Sequence, residues 1–286
     1  MNRLSKPLDH ADRLERVLSH IRAHLDDALD LERLAEVACL SPHHFHRLYR
    51  AVLGETAAQT VRRLRLHRAA VALARSDAPI PRLARQAGYG SLEAFSRAFS
   101  KAYGLPPAAY RRRGVAGHTR PPFIQESHMT DPTQAVTVGH RPALRLAGYV
   151  HVGPYEEIGE GFERLFAQAG ARGAAPGSAR CFAIYYDDPE AKPAAELRSF
   201  AGMEVDAGFE PWDGLDIVDI PAGETAAYLH VGPYADLPQA YQSLYGRWLP
   251  QSGREPADRP AYEEYLNDCT ALPPSEWQTR INLPLA

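Results

Sequence analysis

Cysteine is scarce: Cys39, Cys181 and Cys269 are the only three in 286 residues, odd in number and far apart. That argues against a disulfide framework and against a zinc site, both of which need closely paired ligands. Long apolar runs are missing too. Nothing approaches the ~18–20 consecutive apolar residues that span a bilayer, and the polar N-terminus has no signal-peptide stretch. The expectation is a cytoplasmic chain with no membrane partner, no metal and no cofactor. The two Gly-Pro-Tyr segments at 153–155 and 232–234 lack the Gly-x-Gly spacing and the Lys of a phosphate loop, so they read as strand-to-helix turns.

Net charge is also low, at −3, but the sum conceals a split. Residues 1–113 carry 20 Lys and Arg against 11 Asp and Glu, and the remainder carries 12 against 24. A basic half matches phosphate electrostatically; an acidic half repels it and attracts cations. The alternative is that the asymmetry only tunes solubility. A hydrophobic fraction of 45% and this length suffice for two ordinary domains.

A motif occurs twice in the basic half, fifty residues apart. LAEVACLSPHHFHRLYR (34–50) and LARQAGYGSLEAFSRAFS (83–100) each hold Leu-Ala, then a small pair, then a Ser-started helix with Phe-x-Arg-x-aromatic. Two helices joined by a tight turn, the second with a basic exposed face, form the shape that enters a DNA major groove. Helical spacing covers residues 10–113: Leu14, Val17, Leu18, Ile21 and Leu25 form one stripe, and Ser41-Pro42 is a cap followed by proline at the first helical position. A long Arg-rich helix from about Gln59 to Arg75 joins the two units. Its Arg62, Arg63, Arg65 and Arg68 either approach phosphate or solvate a helix face.

Ala35 and Ala84 fall where the two helices of a unit cross, and Phe45, Leu48, Phe95 and Phe99 fall on the apolar stripe. That leaves His43, His46, Arg47 and Arg50 on the outward face of the first recognition helix, and Leu92, Glu93, Ser96 and Arg97 on the second. Arg forks onto guanine, His and Ser bond base edges, and Glu accepts from cytosine. Arg47 and Arg97 hold equivalent places, either reading a base or bracing the helix on phosphate. Adjacent histidines on one helix cannot converge on one ion, which disfavours a metal reading of His43-His44-x-His46.

Residues 114–135 have no periodicity and are rich in Gly, Pro, Ser and Thr, the composition of a linker. Beyond them a second repeat begins. AGYVHVGPYEEIGEGFERLF (147–166) matches AAYLHVGPYADLPQAYQSLY (226–245), FAIYYDDP (182–189) matches YEEYLNDC (262–269), and LRSFAGMEV (197–205) pairs with EWQTRINLPL (276–285). The expectation is a multidomain chain: an all-α N-terminal domain with two helix-turn-helix units (8–113), the linker (114–135), then an α+β domain of two strand–helix–strand–strand repeats with antiparallel sheets (136–286). The two modules should be related by a pseudo-twofold axis.

Alternation along 262–267 puts Glu263, Tyr265 and Asn267 on one face and Tyr262 and Glu264 on the other. Aligning the repeats on Tyr185 and Tyr265 matches Glu263 with Ala183. An acid present in only one of two similar modules suggests a specialised site, and a carboxylate among aromatic rings attracts cations. Tyr149, Tyr155, Tyr185, Trp212, Tyr228, Tyr234, Tyr265 and Trp277 are candidate walls; the competing reading is a core role for each ring and a surface ion pair for Glu263.

On Leu34, Ala35, Ser41, Phe45, Arg47 and Tyr49, then Ile80, Ala84, Gly88, Tyr89, Phe95, Arg97, Phe99, Gly104, Pro107, Tyr110 and Arg111, residues 10–113 resemble the DNA-binding domain of AraC/XylS-type regulators. Cys39 stands where that family commonly has Gly, a departure a small residue should tolerate. The paired HVGPY segments, YEEYLND and EWQTRINLPL resemble a GyrI-like effector-binding domain. These resemblances imply a non-enzymatic regulator, in sense an activator, reading double-stranded DNA as an asymmetric site. Its other partners would be a small organic effector, cationic or amphipathic, and RNA polymerase. Some GyrI-like proteins resemble hydrolases of reactive toxins, which keeps a fused hydrolase as the alternative; a protein-sequestering module is the third reading.

Overall fold

The computed structural model describes residues 9–113, 136–173, 179–187, 189, 192–212 and 214–286. The expected linker at 114–135 lies outside them. Packing divides the chain into two groups, one drawn from residues 1–39 and 53–129, the other from 40–52 and 130–286.

The first group is helical. It holds α1 (His10–Ala23), α2 (Leu31–Ala38), α4 (Ala57–Arg75), α5 (Ile80–Gln86), α6 (Leu92–Tyr103) and α7 (Pro107–Arg113). Polar caps fix the starts: Asp30 accepts from the Arg33 amide at 2.8 Å, Thr56 and Gln59 form a reciprocal capping box, and Ser91 accepts from the Ala94 amide at 3.1 Å. Leu66, Ala69 and Leu73 of α4 pack with Leu83, Ala84, Phe95 and Phe99, so the second helix pair closes on the long helix. The α4 arginines are largely engaged by other segments of the helical group. Arg65 donates to the carbonyls of Leu25 and Asp27, Arg68 pairs with Asp26 at 2.6 Å, and Arg63 pairs with Glu55 at 2.5 Å. Arg62 remains exposed.

Cys39 corrects a sequence-level argument. It ends α2 in the left-handed conformation, with φ of 53°. Smallness is therefore not the whole requirement there: Gly is common because the backbone is left-handed, a region that costs a residue with a Cβ about 1–2 kcal/mol.

The second group contains α3 (Pro42–Leu53) and an eight-stranded antiparallel sheet. Pro42 does occupy the first turn of α3, but the Ser41 hydroxyl is buried without a hydrogen-bond partner, so only its backbone carbonyl opens the helix. The strands are β1 (Thr137–Arg141), β2 (Leu144–Val152), β3 (Cys181–Tyr185), β4 (Arg198–Glu204), β5 (Asp216–Ile220), β6 (Gly223–Val231), β7 (Tyr262–Tyr265) and β8 (Gln278–Pro284). Their order is β1-β6-β8-β7-β3-β4-β2-β5. Read from either edge, this order runs through one module and then the other, with the outermost strands exchanged: β1 pairs with β6 and β5 with β2.

The register carries the pseudo-twofold. At the central seam β3 and β7 run antiparallel, and Ala183 pairs with Glu263, its own match in the other repeat, so the axis passes through that pair; Cys181 opposite Tyr265 and Ile184 opposite Tyr262 flank it. The repeat therefore places Glu263 at the centre of the sheet. One face carries Phe182, Ile184, Phe200 and Tyr262, with Glu264 paired to Arg180 and Arg280. The helices cover the other face: α8 (Gly159–Ala171) in the first module, and in the second α9 (Leu237–Tyr241), a π-helical segment (Gln242–Trp248) and α10 (Leu249–Ser252).

Both HVGPY segments are turns, as the sequence suggested. His151 and His230 each bond the carbonyl of the following proline, Pro154 and Pro233, at 3.2 Å, fixing the exit from the strand.

Candidate ligand-binding site

Glu263 lies on β7 at the seam and is 2% exposed. Tyr241 of α9 donates to its Oε1 at 3.0 Å, and Tyr265, two residues along the same strand face, donates to Oε2 at 3.1 Å. Burial raises the carboxyl from its ordinary 4.5 to about 7, against the opposing pull of the two hydroxyls and of Arg47. Burial likewise holds Tyr185, Tyr241 and Tyr265 far above the ordinary phenol value, so these hydroxyls stay protonated donors.

The other rings are placed around this pair. The Tyr185 and Tyr265 hydroxyls lie 3.2 Å apart. Tyr155 stands edge-on to Tyr185 with centroids 4.8 Å apart, and its hydroxyl is held by the backbone carbonyl and amide of Asp187. Tyr234 tilts against Tyr265, and Trp277 against Tyr234 at 4.5 Å. Five of the eight aromatic walls expected from the sequence thus converge on Glu263 directly or through one another. Tyr228 packs instead in the core with Leu244 and Tyr245. Tyr149 and Trp212 lie apart from the site: the Trp212 indole donates to the Tyr149 hydroxyl at 3.1 Å, and both rings pack beside Leu165, Ala169 and Met203 in the first module. The expectation for these three followed residue type, which does not say where the chain carries a ring.

The cation at the site comes from α3. The Arg47 guanidinium lies 4.0 Å over the Tyr241 ring, within the charge field of Glu263 and beside Tyr245 and Tyr155. Further contacts seat the helix. His44 bonds the Tyr245 hydroxyl at 3.0 Å and the Ala257 carbonyl at 2.7 Å, and burial lowers its pKa to about 4, so the ring is neutral. Leu48 and Ala51 join the core of Leu244, Tyr245 and Leu249. Gln242 donates to the Ala51 carbonyl, and Gly246 lies so close that a Cβ there would stand 2.7 Å from the same oxygen.

This corrects the expected outward face of α3. Of His43, His46, Arg47 and Arg50, only Arg50 is exposed. His46 is buried, its ring bonded to the Pro42 carbonyl and its pKa lowered to about 3 by burial. His43 is half-buried, as is Arg47. A helical wheel sees one helix; it cannot show that residues two hundred positions away cover it. On α6 the expected surface is open: Leu92, Glu93 and Arg97 are exposed and Ser96 is partly so, while Phe95 and Phe99 are fully buried.

Sequence reasoning missed Tyr241 and Tyr245, although a signal for both was present. In the aligned repeats Tyr241 matches Phe162 and Tyr245 matches Phe166, just as Glu263 matches Ala183. Three polar gains in one module mark one site.

Comparison with known proteins supports both halves. A family model described as a GyrI-like small molecule binding domain matches residues 134–286, and one described as a helix-turn-helix domain matches residues 34–113. The MmsAB operon regulatory protein of Pseudomonas aeruginosa is 40% identical over 100 residues, 35% of this chain and 33% of that protein. Transcriptional regulator Rob of Salmonella typhimurium is 33% identical over 139 residues, 48% of each chain. A DNA gyrase inhibitor of Erwinia billingiae is 30% identical over 156 residues, 53% of this chain and 97% of that protein. The chain thus spans a third to a half of the two regulators' lengths and nearly all of the gyrase inhibitor's.

Proposed function

Because the chain belongs to the GyrI-like small-molecule-binding family and carries an AraC-type helix-turn-helix domain, we propose that it is a ligand-responsive transcription regulator whose effector is an organic cation. The observation that carries the ligand class is Glu263: a buried carboxylate between two tyrosine hydroxyls, with a guanidinium already stacked on one of those rings. Carboxylate charge and ring quadrupole favour the same ligand, a positive charge borne by a flat or aromatic group.

In this reading α6 contacts DNA through Leu92, Glu93, Ser96 and Arg97, and α3 through the exposed Arg50 and, in a DNA-bound state in which the helix leaves the sheet, through His43, His46 and Arg47. Two readers in one chain address successive major-groove segments ~34 Å apart, giving an asymmetric site. The chain acts as an activator, together with RNA polymerase. The Glu263 site binds its ligand without turning it over. Genome-wide mapping of bound sites tests the DNA-reading half: a shared asymmetric sequence upstream of genes is expected, and uniform occupancy would reject it.

The ligand half predicts a pH profile. The carboxyl pKa is raised by burial to about 7, so below that pH the group is neutral and attracts no cation. Affinity for benzylguanidinium is expected to rise as pH increases from 5.5 to about 7, by up to tenfold per unit, and to level off above. The folding cost of burying the ionised form appears over the same rise, from 4.5 to about 7, and a bound cation offsets it. Titration calorimetry at several pH values reads the profile; a flat curve in the wild type would remove Glu263 from the site.

A further inference from the structure

The two modules of the sheet are alike, yet only one is covered by α3. In the first module Phe166 of α8 is 36% exposed. Its counterpart Tyr245 is fully buried, and the hydroxyl that distinguishes it from Phe166 bonds His44 of α3. Tyr241 has the place of Phe162, and its ring carries Arg47. Gly246 has the place of Ala167, and only the smaller residue leaves room for the Ala51 backbone. Glu263 has the place of Ala183. Four differences between matching positions therefore serve one purpose, the seating of α3 with its arginine at the carboxylate.

The covered surface of α3 includes Arg47, which the same helix would present to a base or a phosphate in the DNA-bound form. A guanidinium over Tyr241 cannot also lie in a major groove. We propose that Arg47 is a tethered occupant of the cation site, so that the sensor holds the first recognition helix captive and an external cation releases it by taking the place of the guanidinium. The proposal rests on the reading of Glu263 as a cation site. Capture makes the ligand and DNA cooperative: each favours the state with α3 free, and each pays less when the other is bound. It also selects the effector, which must outcompete an intramolecular guanidinium at high effective concentration.

Gly246 provides the test. Gly246→Ala would place a Cβ 2.7 Å from the Ala51 carbonyl oxygen, so it should unseat α3 while leaving Tyr241 and Glu263 in place. The experiment uses the full chain, DNA from mapped sites, and benzylguanidinium as the probe. Gly246→Ala is expected to tighten both specific DNA binding and probe binding about fivefold or more, because the tethered guanidinium no longer competes. Arg47→Gln, which removes the tethered charge without a clash, is expected to tighten probe binding likewise, whether or not the glycine variant folds. Probe binding unchanged or weakened in Arg47→Gln, or DNA binding unchanged in a folded Gly246→Ala, would overturn the capture. Probe binding in none of these proteins would overturn the cation site itself, and the capture with it. Probe binding unaffected by either substitution but abolished by Glu263→Gln would leave the site standing and reject the captive helix.

Discussion

Glu263→Gln is expected to weaken binding of benzylguanidinium by about 2 kcal/mol, roughly thirtyfold, while leaving a neutral isostere such as benzylurea nearly unchanged. The amide keeps the size of the carboxyl: its oxygen can accept from one of Tyr241 and Tyr265, the donors now at 3.0 and 3.1 Å, and its NH2 can donate to the hydroxyl oxygen of the other. What it removes is the charge, in a setting where both carboxyl oxygens are shielded from water and screening is weak. Because the variant has nothing to titrate, its affinity should no longer vary with pH between 5.5 and 8.5. Calorimetry with the charged and neutral ligands reads all of this. Equal losses for both ligands would mean that the substitution disturbs the packing of the site and that charge is not what the site recognises.

Gly148→Val is expected to destabilise the sheet by about 3 kcal/mol or more, the largest effect on stability of any single change considered. Gly148 lies in β2 between β4 and β5, pairing with Gly202 on one side and Asp216 on the other. A Cβ there would stand 2.1 Å from the Ala201 carbonyl oxygen and 2.6 Å from the Gly202 Cα. Both obstacles are backbone in a hydrogen-bonded ladder, so no rotamer relieves the clash. The chain has three tryptophans, Trp212, Trp248 and Trp277, all beyond residue 136. Their fluorescence therefore reports melting of the sheet without interference from the helical half. The midpoint should fall by about 10 °C; a shift of a degree or two would mean that the strands separate more easily here than the close approach implies.

The repeats made much of the fold readable in advance. Paired HVGPY segments located the two modules, and the match of Tyr185 with Tyr265 put Glu263 opposite Ala183, which became an actual strand pairing at the twofold seam. Helix starts were legible where a side chain caps, as at Asp30 and Ser91, and less so at Ser41, whose hydroxyl makes no bond. Cys39 was misjudged because size is visible in a sequence and φ is not.

The site was half legible for a different reason. Tyr155, Tyr185, Tyr234, Tyr265 and Trp277 follow from strand alternation and the repeats. Trp212 was included on residue type alone and lies elsewhere. Arg47 belongs to a helix whose own amphipathic pattern says only that this face is polar. That its partner is the Tyr241 ring depends on contact between segments almost two hundred residues apart, for which neither propensity nor periodicity carries a signal.

The central claim is that one cation site on the sensor governs the availability of α3, and reciprocal coupling tests it most directly. The affinity of the full chain for a mapped DNA site is measured with and without saturating benzylguanidinium, and the affinity for benzylguanidinium with and without saturating DNA. Capture predicts that each ligand tightens the other by the same factor, between about 5 and 150. The coupling should disappear in Glu263→Gln. Affinities that are independent of one another, or that weaken one another, would contradict the account.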